Sequence, residues 1–181
     1  MQDRQEEFRE VFEKHSDELF RHAALRLSNR DRALEVTQEC FLRAWEFLER
    51  GEHIRQYRAF LYRTLNNLII DEYRKKKSVS LDAMLEDTDT AQIVEGHLLR
   101  DETDIMEEAA VGYDAKRALE MVQQLPENYR AVIVMRYVDG LTPSEIADCL
   151  DESENAVSVR IHRGIRKLRE LLSSSLGEPA L

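Results

Sequence analysis

The sequence has little of what most non-helical architectures need. Three prolines and six glycines in 181 residues, with only sparse β-branched runs, argue against a large sheet. The two cysteines, Cys40 and Cys149, lie far apart inside helical patterns, so neither a disulfide scaffold nor a zinc module can be built from them. No apolar run approaches the roughly 20 residues of a membrane helix, and residues 1–10 are too polar for a signal peptide. What is present is ample for a packed core: 43% of residues are apolar and 34% charged, which also excludes a wholly disordered chain. The composition therefore predicts a soluble, helical, cytoplasmic protein of one domain or two small ones.

Charge divides the chain. The total is −10, from 36 acidic and 26 basic side chains. Residues 1–77 carry +1 and residues 113–181 carry −2, whereas residues 78–112 hold ten carboxylates against Arg100 alone. That middle segment lacks aromatic residues and sustained apolar periodicity, as a flexible acidic linker between two helical domains would. The expected division is 1–77, linker 78–112, second domain 113–175 and tail 176–181.

Four helices are expected before the linker. Phe8, Val11, Phe12 and His15 mark the first, and Leu19, Phe20, Ala23 and Leu27 the second. Asn29 can cap a third, with Leu34, Thr37, Phe41, Ala44, Trp45 and Leu48 inward and Gly51 at its end. Its outer arc holds Glu35, Gln38, Glu39, Leu42 and Glu46, a leucine among acids. The fourth, from about Ala59 to Lys77, turns Arg63, Asn66, Asn67, Ile70, Arg74 and Lys77 outward. Basic groups reach phosphates and side-chain amides read base edges, while Asn is a poor helix former that needs another reason to sit mid-helix. Tyr57, Phe60, Tyr62 and Tyr73 interleave with the cations, a mixture suited to stacking on single-stranded nucleic acid.

After the linker, helices are expected over Asp114–Gln124 and from Pro126, the latter closed by Asp139-Gly140. Thr142-Pro143-Ser144-Glu145 spells a capping box for a short helix ending at Leu150, and a turn at 151–153 leads into a long helix from Glu154 to about Leu172. This is a helix-turn-helix pattern. In the long helix Val157, Ile161, Gly164, Ile165, Leu168 and Leu172 share one arc. Asn155, Ser158, Val159, His162, Arg166 and Arg169 share the opposite one, with Arg163 beside them. From Asn155 to Arg169 there are five cations and no acid, as a recognition helix entering a major groove requires.

Together these segments resemble the extracytoplasmic function group of bacterial RNA polymerase sigma factors. Residues 31–45 (DRALEVTQECFLRAW) resemble region 2.2, and residues 58–74 (RAFLYRTLNNLIIDEYR) resemble regions 2.3 and 2.4. Residues 125–137 (LPENYRAVIVMRY), 140–147 (GLTPSEIA) and 157–163 (VSVRIHR) resemble region 4. The resemblance implies an all-α fold: a four-helix region 2 and a helix-turn-helix region 4. It implies that Glu35, Gln38, Glu39, Leu42 and Glu46 dock on the β′ coiled coil of core RNA polymerase. Arg63, Asn66, Asn67, Arg74 and Lys77 would meet the melted minus-10 element. Asn155, Ser158, His162, Arg163 and Arg166 would read the minus-35 duplex, with region 4 also binding the β flap. Promoter DNA and an anti-sigma factor are the other implied partners, and no cofactor or metal is expected. The sequence departs from the family at Asp151, where glycine is common; Asp tolerates the left-handed backbone such a turn needs. Glu152 and Glu154 suit the helix dipole but oppose DNA phosphates.

The alternative is a polymerase-independent helix-turn-helix regulator. A −10 chain lacks the surplus cations on which free-standing DNA affinity rests, and such a regulator needs no docking face. A metal-dependent nuclease finds little support: His15, His22, His53, His97 and His162 form no ligand motif, and His15 and His22 read as core-edge residues.

Overall fold

The computed structural model describes residues 2–79 and 115–176, and every regular element among them is helical. The N-terminal unit contains α1 (Gln2–Leu27), α2 (Arg30–Glu49) and α3 (Tyr57–Val79). The C-terminal unit contains α4 (Ala115–Gln124), α5 (Glu127–Ile133), α6 (Pro143–Leu150) and α7 (Glu154–Leu176). Between α5 and α6 the backbone widens into a π-helical turn over Val134–Val138. Most of the acidic segment, residues 80–112, and the last five residues lie outside the described residues.

The all-α expectation holds, with one correction to the helix count. The expected first and second helices are a single helix of 26 residues. Ser16, Asp17 and Glu18 include no proline or glycine, and positions 8, 12, 15, 19 and 23 keep one helical period, so nothing stops α1 midway. For the same reason α3 continues to Val79, into the segment assigned to the linker.

Local chemistry sets the helix ends. Ser28 turns left-handed at φ 51° and Asn29 caps α2, its side chain accepting from the Arg32 amide at 3.0 Å. The short turn makes α1 and α2 a helical hairpin, and α3 packs on both. Gly51, at φ 88°, ends α2 in a conformation that a Cβ would disfavour. Leu19, Ala23, Ala33, Cys40, Ala44, Leu61, Leu65 and Ile69 form the buried centre of this unit. An aromatic seam closes one end: Phe8 lies 5.2 Å from Trp45 and Phe12 4.8 Å from Phe41.

In the C-terminal unit Pro126 precedes α5 as its N-cap, not inside its first turn, because its carbonyl accepts from the Tyr129 and Arg130 amides. The capping box is formed: Thr142 Oγ1 accepts from the Glu145 amide at 3.2 Å, and Glu145 accepts from the Thr142 amide at 2.8 Å. Such a cap contributes about 1 kcal/mol. Asp151 takes the expected left-handed conformation, φ 59° and ψ 44°. The inward face of α7 is fully committed: Val157, Ile161, Ile165, Leu168 and Leu172 are all buried. Gly164 lets α5 come close, since a Cβ there would stand 3.0 Å from Ile133 Cγ1.

Candidate nucleic-acid interface

The outward face of α7 follows from its inward one. With the apolar arc sealed against α5 and α6, Asn155, Val159, His162 and Arg166 are exposed and Ser158 and Arg163 half-buried. Arg160 and Lys167 are among the cations engaged within the unit. Arg160 grips Glu152 with both guanidinium nitrogens, at 2.9 and 2.6 Å, and the Lys167 ammonium lies 6.0 Å from the Tyr129 ring. The acid that opposes DNA at the turn is thus neutralised from inside.

On α3 the expected face is split. Asn67 is exposed and lines a groove with Arg43, Arg50, Phe47, Phe60 and Thr64. Arg63 is exposed and faces Asp151 of the C-terminal unit at 3.4 Å, and Arg74 pairs with Asp71 at 3.5 Å. The Lys77 side chain lies outside the described residues. Asn66, expected outward, is instead only 3% exposed and accepts a 2.7 Å hydrogen bond from Arg26 Nη1. The interleaved rings are not free stacking platforms either. Tyr62 is fully buried with its ring 5.4 Å from His22, the Tyr73 hydroxyl donates to the Arg26 carbonyl, and Phe60 lies 5.1 Å from Phe47. The reason is that α3 has two packed sides, one against α1 and α2 and one against α6. A single apolar arc predicts only the first.

The contact between the two units joins their apolar residues in one buried cluster and adds a polar network that the sequence did not disclose. His22 Nδ1 and Asp139 Oδ2 meet at 2.7 Å with both side chains fully buried. Burial outweighs the bond to Asp139 and holds the imidazole pKa below its ordinary 6.5. Arg26, 1% exposed, bonds Asn66 through Nη1 and Glu127 through Nη2, while Arg130 Nη1 donates to the Arg26 carbonyl at 2.9 Å. Arg58 Nη2 reaches the Asp139 carbonyl at 2.5 Å. The signal available in the sequence was a misplaced charge: His22 and Arg26 fall on the arc of Leu19 and Ala23. His15 is buried beside Glu18, at 2.6 Å.

On α2, Glu35, Gln38, Leu42 and Glu46 are exposed and Glu39 half-buried. Leu42 is 51% exposed and stands among acids that pair along the helix, Glu39 with Arg43 at 2.9 Å and Glu35 with Arg32. Leu34 and Phe12, expected inward, are 50% and 46% exposed. They line, with Phe41 and Gln38, a shallow groove where the α1–α2 hairpin splays. Among the described residues no cluster of His, Cys, Asp and Glu could hold a metal ion, and no helix is long and apolar enough to cross a membrane.

Two family models match the chain. Residues 11–79 match the Sigma-70 region 2 family and residues 115–168 match Sigma-70, region 4. The chain is 32% identical over 174 residues to the ECF RNA polymerase sigma factor SigW of Bacillus subtilis, covering 93% of this chain and 90% of that one. It is 29% identical to the ECF RNA polymerase sigma factor SigL of Mycobacterium tuberculosis, over 89% of this chain and 86% of the relative. Among solved structures, CnrH in complex with the cytosolic domain of CnrY has a TM-score of 0.65 at 25% identity, covering 94% and 90% of the two chains. The sigma factor RpoE of Bartonella quintana, in complex with the anti-sigma factor NepR, has a TM-score of 0.66 at 19% identity, over 96% and 98%. The latter shows likeness of fold.

Proposed function

The chain belongs to the ECF RNA polymerase sigma factors, which direct polymerase to promoters, and from that membership we propose how its faces divide the work. The acidic face of α2, with Leu42 at its centre, docks on the β′ coiled coil of core polymerase. The face of α7 enters the major groove of the minus-35 element through Asn155, Ser158, His162, Arg163 and Arg166. Arg63, Asn66, Asn67, Arg74 and Lys77 of α3 receive the melted minus-10 strand. The chain contributes specificity and no chemistry of its own, and works where polymerase works, in the cytoplasm. The complexes of CnrH and RpoE motivate a partner of the anti-sigma class for this chain as well.

The observation that carries this reading is the separation of α7, buried along its whole apolar arc and, Val159 apart, polar or cationic on the other. A polar helix face of that width fits a major groove, and backbone phosphates take the flanking cations. Purified protein added to core polymerase should give promoter-dependent run-off transcripts. Permanganate-reactive thymines should appear around minus-10. The triple substitution Gln38→Ala, Glu39→Ala and Leu42→Ala should abolish co-purification with core polymerase and leave helical circular dichroism unchanged. Retained polymerase binding by that variant would remove the docking assignment and favour the polymerase-independent regulator.

A further inference from the structure

The polar outward arc of α7 is interrupted by one exposed apolar side chain. We propose that Val159 reads a thymine through its C5-methyl group in the major groove of the minus-35 duplex, so that the pair opposite it is A·T or T·A. The inference rests on the proposed role of α7 and deepens it, naming a specificity-determining residue outside the polar set.

Three observations carry it. The first is position. From residue 155 to residue 166 the exposed side chains are Asn155, Val159, His162 and Arg166, which form one ridge along the helix. At 100° per residue, Val159 lies about 40° from Asn155 and about 20° from Arg166 around the axis, inside the arc bounded by Ser158 and Arg163. Along the axis it stands about 6 Å from Asn155 and about 4.5 Å from His162. A duplex that meets Asn155 and His162 therefore meets Val159 between them. The second is chemistry. Val159 is 42% exposed, and the residues one turn away, Asn155, Ala156, His162 and Arg163, give it no apolar patch to join. A protein partner would need contiguous apolar surface of a few hundred Å² or more. The major groove offers a single apolar feature, the thymine methyl, and one branched side chain matches it. Guanine O6 or cytosine N4 set against valine would lose water and gain no partner, which disfavours a G·C pair at that place. The third is support. Buried Val157 and Ile161 fix the helix on either side of Val159, and Arg160 is held on the flank of the arc by its two bonds to Glu152. Valine has one stiff side-chain torsion, so its methyl groups are presented to the groove in a set orientation.

The test uses holoenzyme assembled from the full chain and core polymerase, and duplexes randomised across the minus-35 and minus-10 elements. Bound duplexes give the preferred minus-35 element, which is then remade with each thymine in turn replaced by deoxyuridine. That replacement deletes the C5-methyl group and keeps the base pairing. At one position it should weaken wild-type binding about fourfold in equilibrium competition, the equivalent of one buried methyl group. Val159→Ala sits at an exposed site and places a better helix former there, so the fold is kept. Its holoenzyme should bind the thymine duplex about fourfold more weakly and be indifferent to that one replacement. A second selection with Val159→Ala should lose the preference for an A·T pair at the same position and keep the others. If no thymine replacement in the minus-35 element separates wild type from Val159→Ala, or if the position coupled to Val159 prefers G·C, the proposal is overturned and the polar residues of α7 keep their role. A wild-type holoenzyme that selects no sequence at minus-35 overturns the reading by α7 itself, and this proposal with it.

Discussion

The two faces proposed to read DNA are built on opposite principles. Helix α7 spends one side on its own small core and leaves the other to solvent, so its reading face is complete in the free chain. Helix α3 is packed on two sides, and Asn66 is buried against Arg26 of α1 while Asn67 faces solvent. A duplex can be read without rearrangement. On the proposed roles, α3 offers Asn67 to a strand as it stands, whereas Asn66 is already occupied by Arg26. The difference lies in where each helix finds its second packing partner, not in the composition of the faces.

The strongest way to break this comparison is to treat the adjacent asparagines alike. Asn66→Ala leaves Arg26 Nη1 without its acceptor in a fully buried position. An orphaned buried donor costs roughly 1–3 kcal/mol, more when charged, so a loss of about 3 kcal/mol is expected in urea denaturation. Asn67→Ala, at an exposed site, should stay within about 0.5 kcal/mol of wild type in the same experiment. Its defect should appear in the holoenzyme, as fewer open complexes with closed ones preserved. Equal destabilisation by the two substitutions would show that α3 has one packed side, not two.

The next test sharpens the other half. Arg166→Ala should weaken minus-35 duplex binding by about 1–3 kcal/mol and relax specificity at one position. Competition assays on single-position promoter variants read both quantities, and a uniform loss across variants would reassign Arg166 to phosphate.

A smaller effect should follow from pH. The side chains around His22 are Asp139 from the turn after α5, Glu127 from α5, Arg26 on α1 and the Tyr62 ring from α3. Burial depresses the His22 pKa in the folded chain, so the folded chain binds fewer protons there than the unfolded one. That contribution to stability is fully present above the ordinary pKa of 6.5 and is lost as pH falls below it, by at most about 1.4 kcal/mol per pH unit for one proton. Glu72 and Glu145, held below their ordinary 4.5 by Arg32 and by the Thr142 amide, lose their contributions only in more acidic solution. The midpoint of urea denaturation should therefore fall between pH 6.5 and 5, and His22→Gln should flatten that slope.

How much of this was legible beforehand follows from the range of the interactions involved. The caps at Asn29 and Thr142, the left-handed Asp151 and both faces of α7 rest on neighbours within a few residues, and the sequence displays them directly. The unbroken α1 was divided into two helices, although the residues between the two apolar sets, Ser16, Asp17 and Glu18, include no proline or glycine to break it. Asn66, Tyr62, Leu34 and Phe12 were misplaced because their environment depends on partners on other helices. One-helix periodicity cannot report those partners: Asn66 meets Arg26, Tyr62 meets His22, and the α1–α2 hairpin splays at Leu34. The tie between units was hidden most deeply, since His22 and Asp139 lie 117 residues apart. Its one trace was charge on an apolar arc.

The finest distinction concerns the two acids at the mouth of α7. Glu152 is tied to Arg160 by two hydrogen bonds, whereas Glu154 occupies the first turn of the helix and is exposed. The first pairing withholds a cation from DNA; the second acid only complements the helix dipole. Glu152→Ala should therefore free Arg160 for a phosphate and steepen the dependence of log affinity on log salt by about 0.9. The accompanying loss of fold stability should be small, about 0.2–1 kcal/mol, as for a largely surface ion pair. Glu154→Ala removes the same charge but releases no cation. It should raise duplex affinity slightly at low salt through the altered field and leave the slope where it was. Filter binding across 0.05–0.3 M salt, roughly the range in which such slopes are read, compares the two variants. Equal slopes would mean that Arg160 remains turned away from DNA when its partner is gone, and that α7 reads the duplex with fewer phosphate contacts than its five cations imply.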